Sequence, residues 1–317
     1  MDDPQVLNPE DDYGMTILQL AVADANALNA NGFTALDVLA QSKRDIKDWE
    51  IGELIRRAGA YRAKDVQLSA NEQTNSLISL ESNSQNQQAI KGPGFVAMNI
   101  TFENTAGPDQ ETGQAVALLS EVDSAFYRCK FVGYQDTLYA GRNKQFYREC
   151  DIYGTIDFIF GDASAVFQNC NIYVRFLGGN VKTITAEGRE EPEGNGGIII
   201  HNCTITAAED FPKDRTSIKT YLGRPWRNYS RTVILQTFLD EIIDPEGWLE
   251  WQGQSVDTIY YAEYNNRGPG SNTTGRIRWK GYRILKRLEA ENFTVKKFIS
   301  GDKWIPSTGI PFFPGLL

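Results

Sequence analysis

The sequence predicts an all-β fold in which a coil of strands stacks on itself. Four segments share one pattern, a cysteine followed by a polar and then a large apolar residue, and they begin at Cys129, Cys150, Cys170 and Cys203. The first three recur with a period of about 20 residues, which is typical of stacked-coil folds. Aromatic residues make up 11% of the chain and glycine occurs 28 times, which suits a fold with many strands and turns.

The composition argues against several classes of function. Residues 1–90 carry 14 acidic and 7 basic side chains, so most of the net charge of −9 lies there. Nucleic-acid binding needs a basic face, so we expect no nucleic-acid partner. No apolar run reaches the roughly 18 residues of a membrane span, so we expect no membrane association. The single histidine, His201, excludes a two-histidine metal site, and there is no CxxC motif; we therefore expect no metal and no other cofactor.

The N-terminal part has a helical pattern instead of a strand pattern. Residues 14–21 and 32–40 both place a threonine before a short apolar run, and residues 50–59 predict a second helix ended by glycine. Residues 1–65 therefore resemble an ankyrin-repeat fragment, although the two threonines lie closer together than a full repeat of about 33 residues requires. Residues 66–91 are rich in Ser, Asn and Gln, which predicts a polar flexible linker. Residues 92–317 then form the strand-rich domain.

The repeat register also carries polar pairs. Asp136 follows Cys129 at the same distance along the chain as Asp157 follows Cys150. If one coil spans the interval between these two cysteines, the carboxylates stack at the roughly 4.8 Å spacing of neighbouring strands and reach one substrate group. Gln114 and Gln135 are separated by that same interval. Their amides could both point at one developing oxyanion, or they could form a polar stacking ladder without a catalytic role.

Four motifs in a fixed order resemble those of the plant pectin methylesterases, or pectinesterases. They are QAVAL at 114–118, GYQDTLY at 133–139, GTIDFIFG at 154–161 and YLGRPW at 221–226. WLEW at 248–251, YYAEY at 260–264 and GPG at 268–270 extend the resemblance, which covers residues 92–317. It implies a right-handed parallel β-helix that lacks the first coils of the family. It also implies hydrolysis of the methyl esters of homogalacturonan (pectin) to pectate and methanol.

The resemblance assigns roles to residues in these motifs. Asp157 matches the nucleophile, and Asp136 matches the general acid that later serves as base for water. Two carboxylates this close cannot easily both ionise, so the pKa of one should rise. Arg224 should hold Asp157 ionised. Gln114 and Gln135 match the oxyanion donors, and the residues beside the sugar groove are Trp226, Trp248, Tyr139 and Phe160.

Other functions fit the sequence less well. Pectate lyases and polygalacturonases share the β-helix, but they would need a carboxylate-held calcium or a histidine-bearing motif, and neither pattern is present. An ankyrin-type protein-binding module and a catalytically impaired fusion product remain as alternatives. The family resemblance further implies a cell-wall location, a monomer and a proteinaceous inhibitor as partner, although the acidic start of this chain lacks the apolar run of a secretory signal.

The cysteine ladder has two interpretations. In an oxidising compartment we expect disulfides Cys129–Cys150 and Cys170–Cys203, since residues one coil apart lie near the roughly 5.5 Å that a bridge needs. Cys150–Cys170 is also geometrically allowed. The other interpretation is four stacked free thiols.

Overall fold

A computed structural model of the protein describes residues 76–80, 89–90, 94–106 and 114–317. The chain divides into two compact units, residues 1–78 and 79–317. The predicted helical fragment at 1–65 lies outside the described residues, as does most of the predicted linker. Strands Ser76–Leu80 (β1) and Ala89–Ile90 (β2) fall within the range of that linker.

The strands after residue 79 form three parallel sheets, and successive strands enter the sheets in rotation as far as residue 239; the last two strands both join the third sheet. The first sheet contains β4 (Ile100–Asn104), β7 (Lys130–Val132), β10 (Asp151–Gly154), β13 (Asn171–Val174), β16 (Thr204–Ala207) and β19 (Phe238–Leu239). The second contains β2, β5 (Leu118–Ser120), β8 (Leu138–Ala140), β11 (Ile156–Gly161), β14 (Val181–Glu187) and β17 (Lys219–Gly223). The third contains β3 (Phe95–Met98), β6 (Ser124–Tyr127), β9 (Lys144–Arg148), β12 (Ser164–Gln168), β15 (Gly197–His201), β18 (Arg231–Leu235), β20 (Tyr260–Tyr264) and β21 (Tyr282–Ile284).

The register of these strands confirms the predicted coil. Asp151, which follows Cys150, pairs with Lys130 in the coil before it and with Asn171 in the coil after it. Lys130 and Asn171 follow Cys129 and Cys170, so the steps between paired residues equal the spacing of the cysteines. Each turn of the chain thus adds one strand to each sheet, which makes the fold a parallel β-helix.

One coil is longer than the two before it. Asn171 pairs with Thr204, the residue after Cys203. The added length lies in the connections that flank β14, which join it to β13 on one side and to β15 on the other. The cysteine pattern therefore keeps its place in the first sheet even where its spacing along the chain changes.

The interior is filled by side chains that stack from coil to coil. Phe126, Tyr147 and Phe167 occupy the same register position in β6, β9 and β12. Their rings stack at centroid distances of 4.8 and 4.4 Å, and none of the three is exposed to solvent. Offset aromatic stacking adds to the hydrophobic gain of burying large side chains.

The four cysteines form a ladder of free thiols inside this core. Each follows a residue with a left-handed backbone, such as Arg128 with φ 52° and Asn169 with φ 56°. All four are buried and free, so the predicted disulfides are not formed. Each thiol instead lies within hydrogen-bond reach of two carbonyls, one two residues before it and one in the preceding coil.

The C-terminal segment packs short helices against the third sheet. They are α1 (Arg287–Ala290), α2 (Val295–Phe298) and the 3₁₀ turns Glu291–Phe293, Gly301–Lys303 and Ile305–Thr308; a further 3₁₀ turn, Pro269–Ser271, precedes β21. Val295, Ile299 and Ile305 join Val233 and Ala262 in one buried apolar cluster. Within the described ranges, no helix has the length and apolar character needed to cross a membrane.

Candidate active site

Asp157 lies in an irregular part of β11. The pairing of β11 with β14 shifts its register between Ile156 and Ile159, and Asp157 has φ 50°. A non-glycine residue with this left-handed backbone stores strain, which is common at functional sites. Asp157 is only 4% exposed, yet its side chain lines a surface pocket of about 270 Å³.

Arg224 and Thr183 hold the carboxylate of Asp157 on two sides. Arg224 Nη2 donates to Oδ2 at 2.6 Å and Arg224 Nε donates to Oδ1 at 2.9 Å, a bidentate arrangement that matches the planar guanidinium to the carboxylate. Thr183 Oγ1 donates to Oδ1 at 2.6 Å and accepts from the Asp157 amide at 3.1 Å. The negative charge of the Asp157 carboxylate is therefore compensated, and the orientation of the carboxylate is fixed.

Asp136 lies one coil earlier and lines the same pocket. Its amide donates to the carbonyl of Ile156 at 3.0 Å, and its φ of 63° is also left-handed. The pKa of Asp136 is raised to about 7, first because the carboxyl is buried and second because of the negative charge of Asp157. Arg224 and a hydrogen bond with Gln135 oppose the rise. The two carboxyls thus lie together, as their spacing predicts.

The two glutamines are also on neighbouring coils. The Ala115 amide donates to the carbonyl of Gln135 at 3.2 Å, which places Gln114 beside Gln135. Gln114 is exposed and lines the pocket. Gln135 is adjacent in sequence to Asp136, and its side chain bonds that carboxyl. Of the two glutamines, Gln114 is the one in the lining of the pocket, whereas Gln135 is a partner of the Asp136 carboxyl.

An aromatic floor continues the pocket along the second sheet. Leu119, Tyr139, Phe160 and Ala186 occupy one register row across β5, β8, β11 and β14. The rings of Tyr139 and Phe160 stack at 4.5 Å, and Trp226 meets both edge-on at 6.4 and 6.0 Å. An apolar floor beside polar groups is typical of a small-molecule or sugar site.

Comparison with known proteins agrees with this geometry. The sequence profile of the pectinesterase family matches residues 65–302. The chain is 54% identical over 231 residues to Pectinesterase 2 of Citrus sinensis, covering 72% of this chain and 45% of that protein. It is 53% identical over 232 residues to the probable pectinesterase/pectinesterase inhibitor 41 of Arabidopsis thaliana, covering 72% and 40%. The solved pectin methylesterase from carrot superposes with a TM-score of 0.73 and 43% identity over 77% of this chain and 80% of that chain.

The chain belongs to the pectinesterase family. It spans less than half the length of the citrus and Arabidopsis relatives.

One tryptophan predicted for the groove of this pectinesterase-family chain lies elsewhere. Trp248 is buried with 1% exposure, packs against Tyr261 at a centroid distance of 4.5 Å and donates to Glu263 Oε1 at 3.3 Å. It therefore cannot offer a face to a sugar ring. Trp251, three residues later in the WLEW motif, lines the pocket instead, and its ring lies 4.1 Å from the Arg224 guanidinium carbon.

Sequence reasoning also missed Thr183. A threonine in a strand is a common β-former, and only the pairing of Ile156 with Thr183 brings it beside Asp157. Trp251, in contrast, belongs to the WLEW motif, which resembles the pectinesterases. The motif was identified from the sequence, but Trp248 was predicted for the groove in place of Trp251. His201 is fully buried between Gln168 and Gln236, where it bonds other core side chains.

Proposed function

We propose that this chain is a carboxylic ester hydrolase that removes methyl esters from homogalacturonan and releases pectate and methanol. One observation carries the proposal: an Asp157 carboxylate paired with Arg224, beside an Asp136 carboxyl whose pKa is raised to about 7. Asp157 is paired with the Arg224 guanidinium, while Asp136 keeps its proton near neutral pH. That is the division of labour between a nucleophile and a general acid.

In the first step, an oxygen of Asp157 attacks the carbonyl carbon of the methyl ester. The carbonyl oxygen gains negative charge, which the amide N–H groups of Gln114 and Gln135 stabilise. The bond to the methoxy oxygen then breaks, and Asp136 gives its proton to the leaving group, so methanol departs. An anhydride between Asp157 and the galacturonate remains.

In the second step, Asp136 acts as a base. It takes a proton from water, and the oxygen of that water attacks the galacturonate carbonyl carbon of the anhydride. The bond to Asp157 breaks, which restores the Asp157 anion and leaves the galacturonate as a carboxylic acid. That acid loses the second proton of the water to solvent and departs as a carboxylate. Arg224 and Thr183 orient Asp157, because their hydrogen bonds hold both of its carboxylate oxygens.

The pocket supports the assignment of the substrate. Tyr139, Phe160 and Trp226 offer apolar faces beside the carboxyl pair, and such faces suit the apolar side of a pyranose ring. The citrus and Arabidopsis relatives are named pectinesterases. We extend their substrate to this chain, together with a cell-wall location, a proteinaceous inhibitor and a monomeric state.

Replacement of Asp157 tests the proposal. We expect Asp157→Asn to reduce methanol release from methyl-esterified pectin by at least about 100-fold, the scale seen when one catalytic group is removed. Asp123→Asn is the matched control, because Asp123 is exposed and accepts from the amide of Lys144 in a turn. Wild-type protein that releases no methanol, or an Asp157→Asn variant as active as Asp123→Asn, would contradict the proposal.

A further inference from the structure

A second recess lies on the outer face of the first sheet. Its volume is about 530 Å³, and its lining includes Lys130, Tyr153, Tyr173, Arg175 and Glu209. These residues belong to β7, β10 and β13 and to the chain after β13 and after β16, whereas the floor of the candidate active site belongs to the second sheet. The recess is thus a separate site on the same coils.

An aromatic ladder forms one wall of this recess and then stops. Val132, Tyr153, Tyr173 and Thr206 occupy one register row. The two tyrosine rings stack at 4.5 Å, and the Lys130 ammonium lies 4.7 Å from the Tyr153 ring. The next residue in the row is the small Thr206, and the two residues after it in the chain are alanines. The face of Tyr173 that points away from Tyr153 therefore borders open space.

That open space matches one pyranose ring. Neighbouring rungs of a parallel sheet are about 4.8 Å apart, a separation that also suits a sugar ring stacked on an aromatic face. A ring seated on Tyr173 would occupy the position that a third tyrosine would fill. Two half-buried alanines, Ala207 and Ala208, line the space without blocking it.

The charges of the recess balance. Lys130 and Arg175 accompany Glu209 and Asp210 in its lining, and Arg175 Nε donates to Asp210 Oδ2 at 2.9 Å. A site with this balance attracts a polyanion weakly. It offers donors and acceptors to the hydroxyl groups of a neutral ring, and a methyl-esterified galacturonosyl ring is neutral.

Arg175 connects the recess with the candidate active site. It donates to the carbonyl of Gly133 at 3.1 Å and to the Tyr134 hydroxyl at 2.9 Å, and its guanidinium lies 3.9 Å from the Tyr134 ring. Gly133 and Tyr134 come immediately before Gln135 and Asp136. The turn that leads to Gln135 and Asp136 is thus held by a side chain that also lines the recess.

We propose that this recess is an accessory site that binds a methyl-esterified galacturonosyl ring of the substrate polymer on the free face of Tyr173. The identity of the polymer rests on the function proposed above. The site would hold ester-rich stretches of the chain near the carboxyl pair and would discriminate against pectate.

The test uses two pairs of variants, one that fills the recess and one that alters the ring of Tyr173. Thr206→Tyr should place a third ring over Tyr173. Thr206→Val is the control, because it loses the same hydrogen bond to Asp240 Oδ2 and leaves the space open. Tyr173→Phe should keep the stacking face, and Tyr173→Ala should remove it.

Binding is measured by electrophoresis through gels that contain highly methyl-esterified pectin or pectate. All variants carry Asp157→Asn, so that the embedded polymer is not altered. We expect Thr206→Tyr and Tyr173→Ala to raise the dissociation constant for esterified pectin about tenfold, the scale of one aromatic stacking contact. Thr206→Val and Tyr173→Phe should bind like the parent, and pectate should retard the parent less than esterified pectin does.

The result that would overturn the accessory site is equal retardation of Thr206→Tyr and Thr206→Val, or no retardation of the parent by esterified pectin. The function proposed above is tested separately, by methanol release from a short methyl-esterified oligomer with Asp157 intact. Thr206→Tyr should leave that rate unchanged, since Thr206 does not belong to the lining of the pocket that holds the carboxyl pair. Failure of one proposal is therefore distinguishable from failure of the other.

Discussion

Asp157 Oδ1 accepts hydrogen bonds from two groups that reach it from later coils, Thr183 Oγ1 at 2.6 Å and Arg224 Nε at 2.9 Å. The threonine hydroxyl also accepts from the Asp157 amide. It therefore ties the side chain to a backbone held in a left-handed conformation. A short hydrogen bond to a charged oxygen contributes more than a neutral one, so Thr183 should matter for the orientation of the nucleophile.

We expect Thr183→Val to lower kcat by about 10- to 100-fold with little change in KM, because the isosteric side chain keeps the packing and loses both hydrogen bonds. Thr185→Val is the matched control: Thr185 is buried in the same strand, but its hydroxyl donates to the carbonyl of Leu222. Steady-state kinetics on a methyl-esterified oligomer compare the two. Equal losses in both variants would mean that Thr183 has only a structural role.

The protonation of Asp136 should set the pH dependence of the first step. Its pKa of about 7 means that the proton donor is present below this pH and is lost as the pH rises through it. We expect kcat/KM for a methyl-ester oligomer to fall above pH 7, since kcat/KM reports ionisations of the free enzyme. Measurement of kcat/KM from pH 5 to 9 checks this.

Arg224 offers a control for the same profile. Its positive charge opposes the rise in the pKa of Asp136. Arg224→Gln should therefore raise that pKa and move the alkaline limb to higher pH, along with a large loss of rate. A limb that stays in place in Arg224→Gln, or a wild-type rate that is flat between pH 6 and 9, would contradict the role of Asp136 as acid.

At the scale of the coil, the sequence predicted the residues that recur with the period of the coil and missed those that do not follow it. The spacing of Cys129 and Cys150 predicted the register, and the register predicted the stacked carboxyls of Asp136 and Asp157. Thr183 lies in the longer coil, after its extended connection from β13 to β14, so its distance along the chain from Asp157 carries no periodic signal. Trp248 is buried and Trp251 lines the pocket, a difference that their shared motif does not reveal.

The cysteine ladder shows a second limit of prediction from the sequence. The spacing correctly placed the thiols on neighbouring coils, and this distance alone would allow a disulfide. The structure shows four free thiols, each within hydrogen-bond reach of two backbone carbonyls. Cys129 Sγ, for example, lies 3.4 Å from the carbonyl of Ala97. Sequence spacing does not contain that information.

A ladder of polar side chains at the ends of the third-sheet strands holds the C-terminal segment. Gln168 donates to the carbonyl of Phe313 at 2.9 Å and accepts from its amide at 2.9 Å. Gln236 accepts from the amide of Leu317 at 2.9 Å. His201 lies between the two glutamines, with Nδ1 facing Gln168 Nε2 at 3.3 Å and Nε2 facing Gln236 Oε1 at 3.1 Å.

This ladder requires a neutral imidazole. The Phe313 amide fixes the orientation of Gln168, so an N–H group faces His201 Nδ1 and a proton there would oppose it. Burial lowers the pKa of His201 from its ordinary value of 6.5, and the positive charge of Arg148 lowers it further, while the hydrogen bond to Gln236 acts in the opposite direction. The unfolded chain therefore binds the extra proton first, and stability falls as the pH drops below about 6.5.

We expect the melting temperature of the wild type to fall relative to that of His201→Gln between pH 7.5 and 5. The protection factors of the Phe313 and Leu317 amides against hydrogen exchange should fall over the same interval in the wild type and stay constant in the variant. A difference in melting temperature that does not change with pH would mean that His201 takes up a proton in the folded chain as readily as in the unfolded chain, and it would contradict the prediction.

For the whole molecule, buried carboxyls with raised pKa values change the pH dependence of stability in the direction opposite to that of His201: they lower stability as the pH rises. Glu187 is fully buried. Its pKa is raised to about 8, first by burial, although its hydrogen bonds with the backbone of Arg231 and Arg189 oppose the rise. Asp136 adds a second such group. Between about pH 4.5 and 7 the folded chain thus holds two protons that the unfolded chain has released.

The sign of the effect follows from proton linkage. Because the native state binds more protons, its stability is fully present below the unfolded pKa and declines as the pH rises through the folded pKa. Each carboxyl contributes a slope of about −1.4 kcal/mol per pH unit in that interval. The decline is therefore steepest where both groups act together, and His201 offsets only part of it at the acid end.

Glu187→Gln isolates one of these groups, since glutamine keeps the shape and cannot ionise. We expect the melting temperature of the variant to rise relative to the wild type between pH 6 and 8, by about 2–4 °C for each kcal/mol. Asp136→Asn should show the same trend and reach its plateau about one pH unit earlier, because the pKa of Asp136 is lower. The double variant should add the two shifts, since the residues lie in different coils and share no hydrogen bond among the described contacts. Melting temperatures of all four proteins, measured at half-unit steps of pH, test this prediction. If the melting temperatures of Glu187→Gln and the wild type change in parallel with pH, Glu187 is ionised in the folded chain at neutral pH.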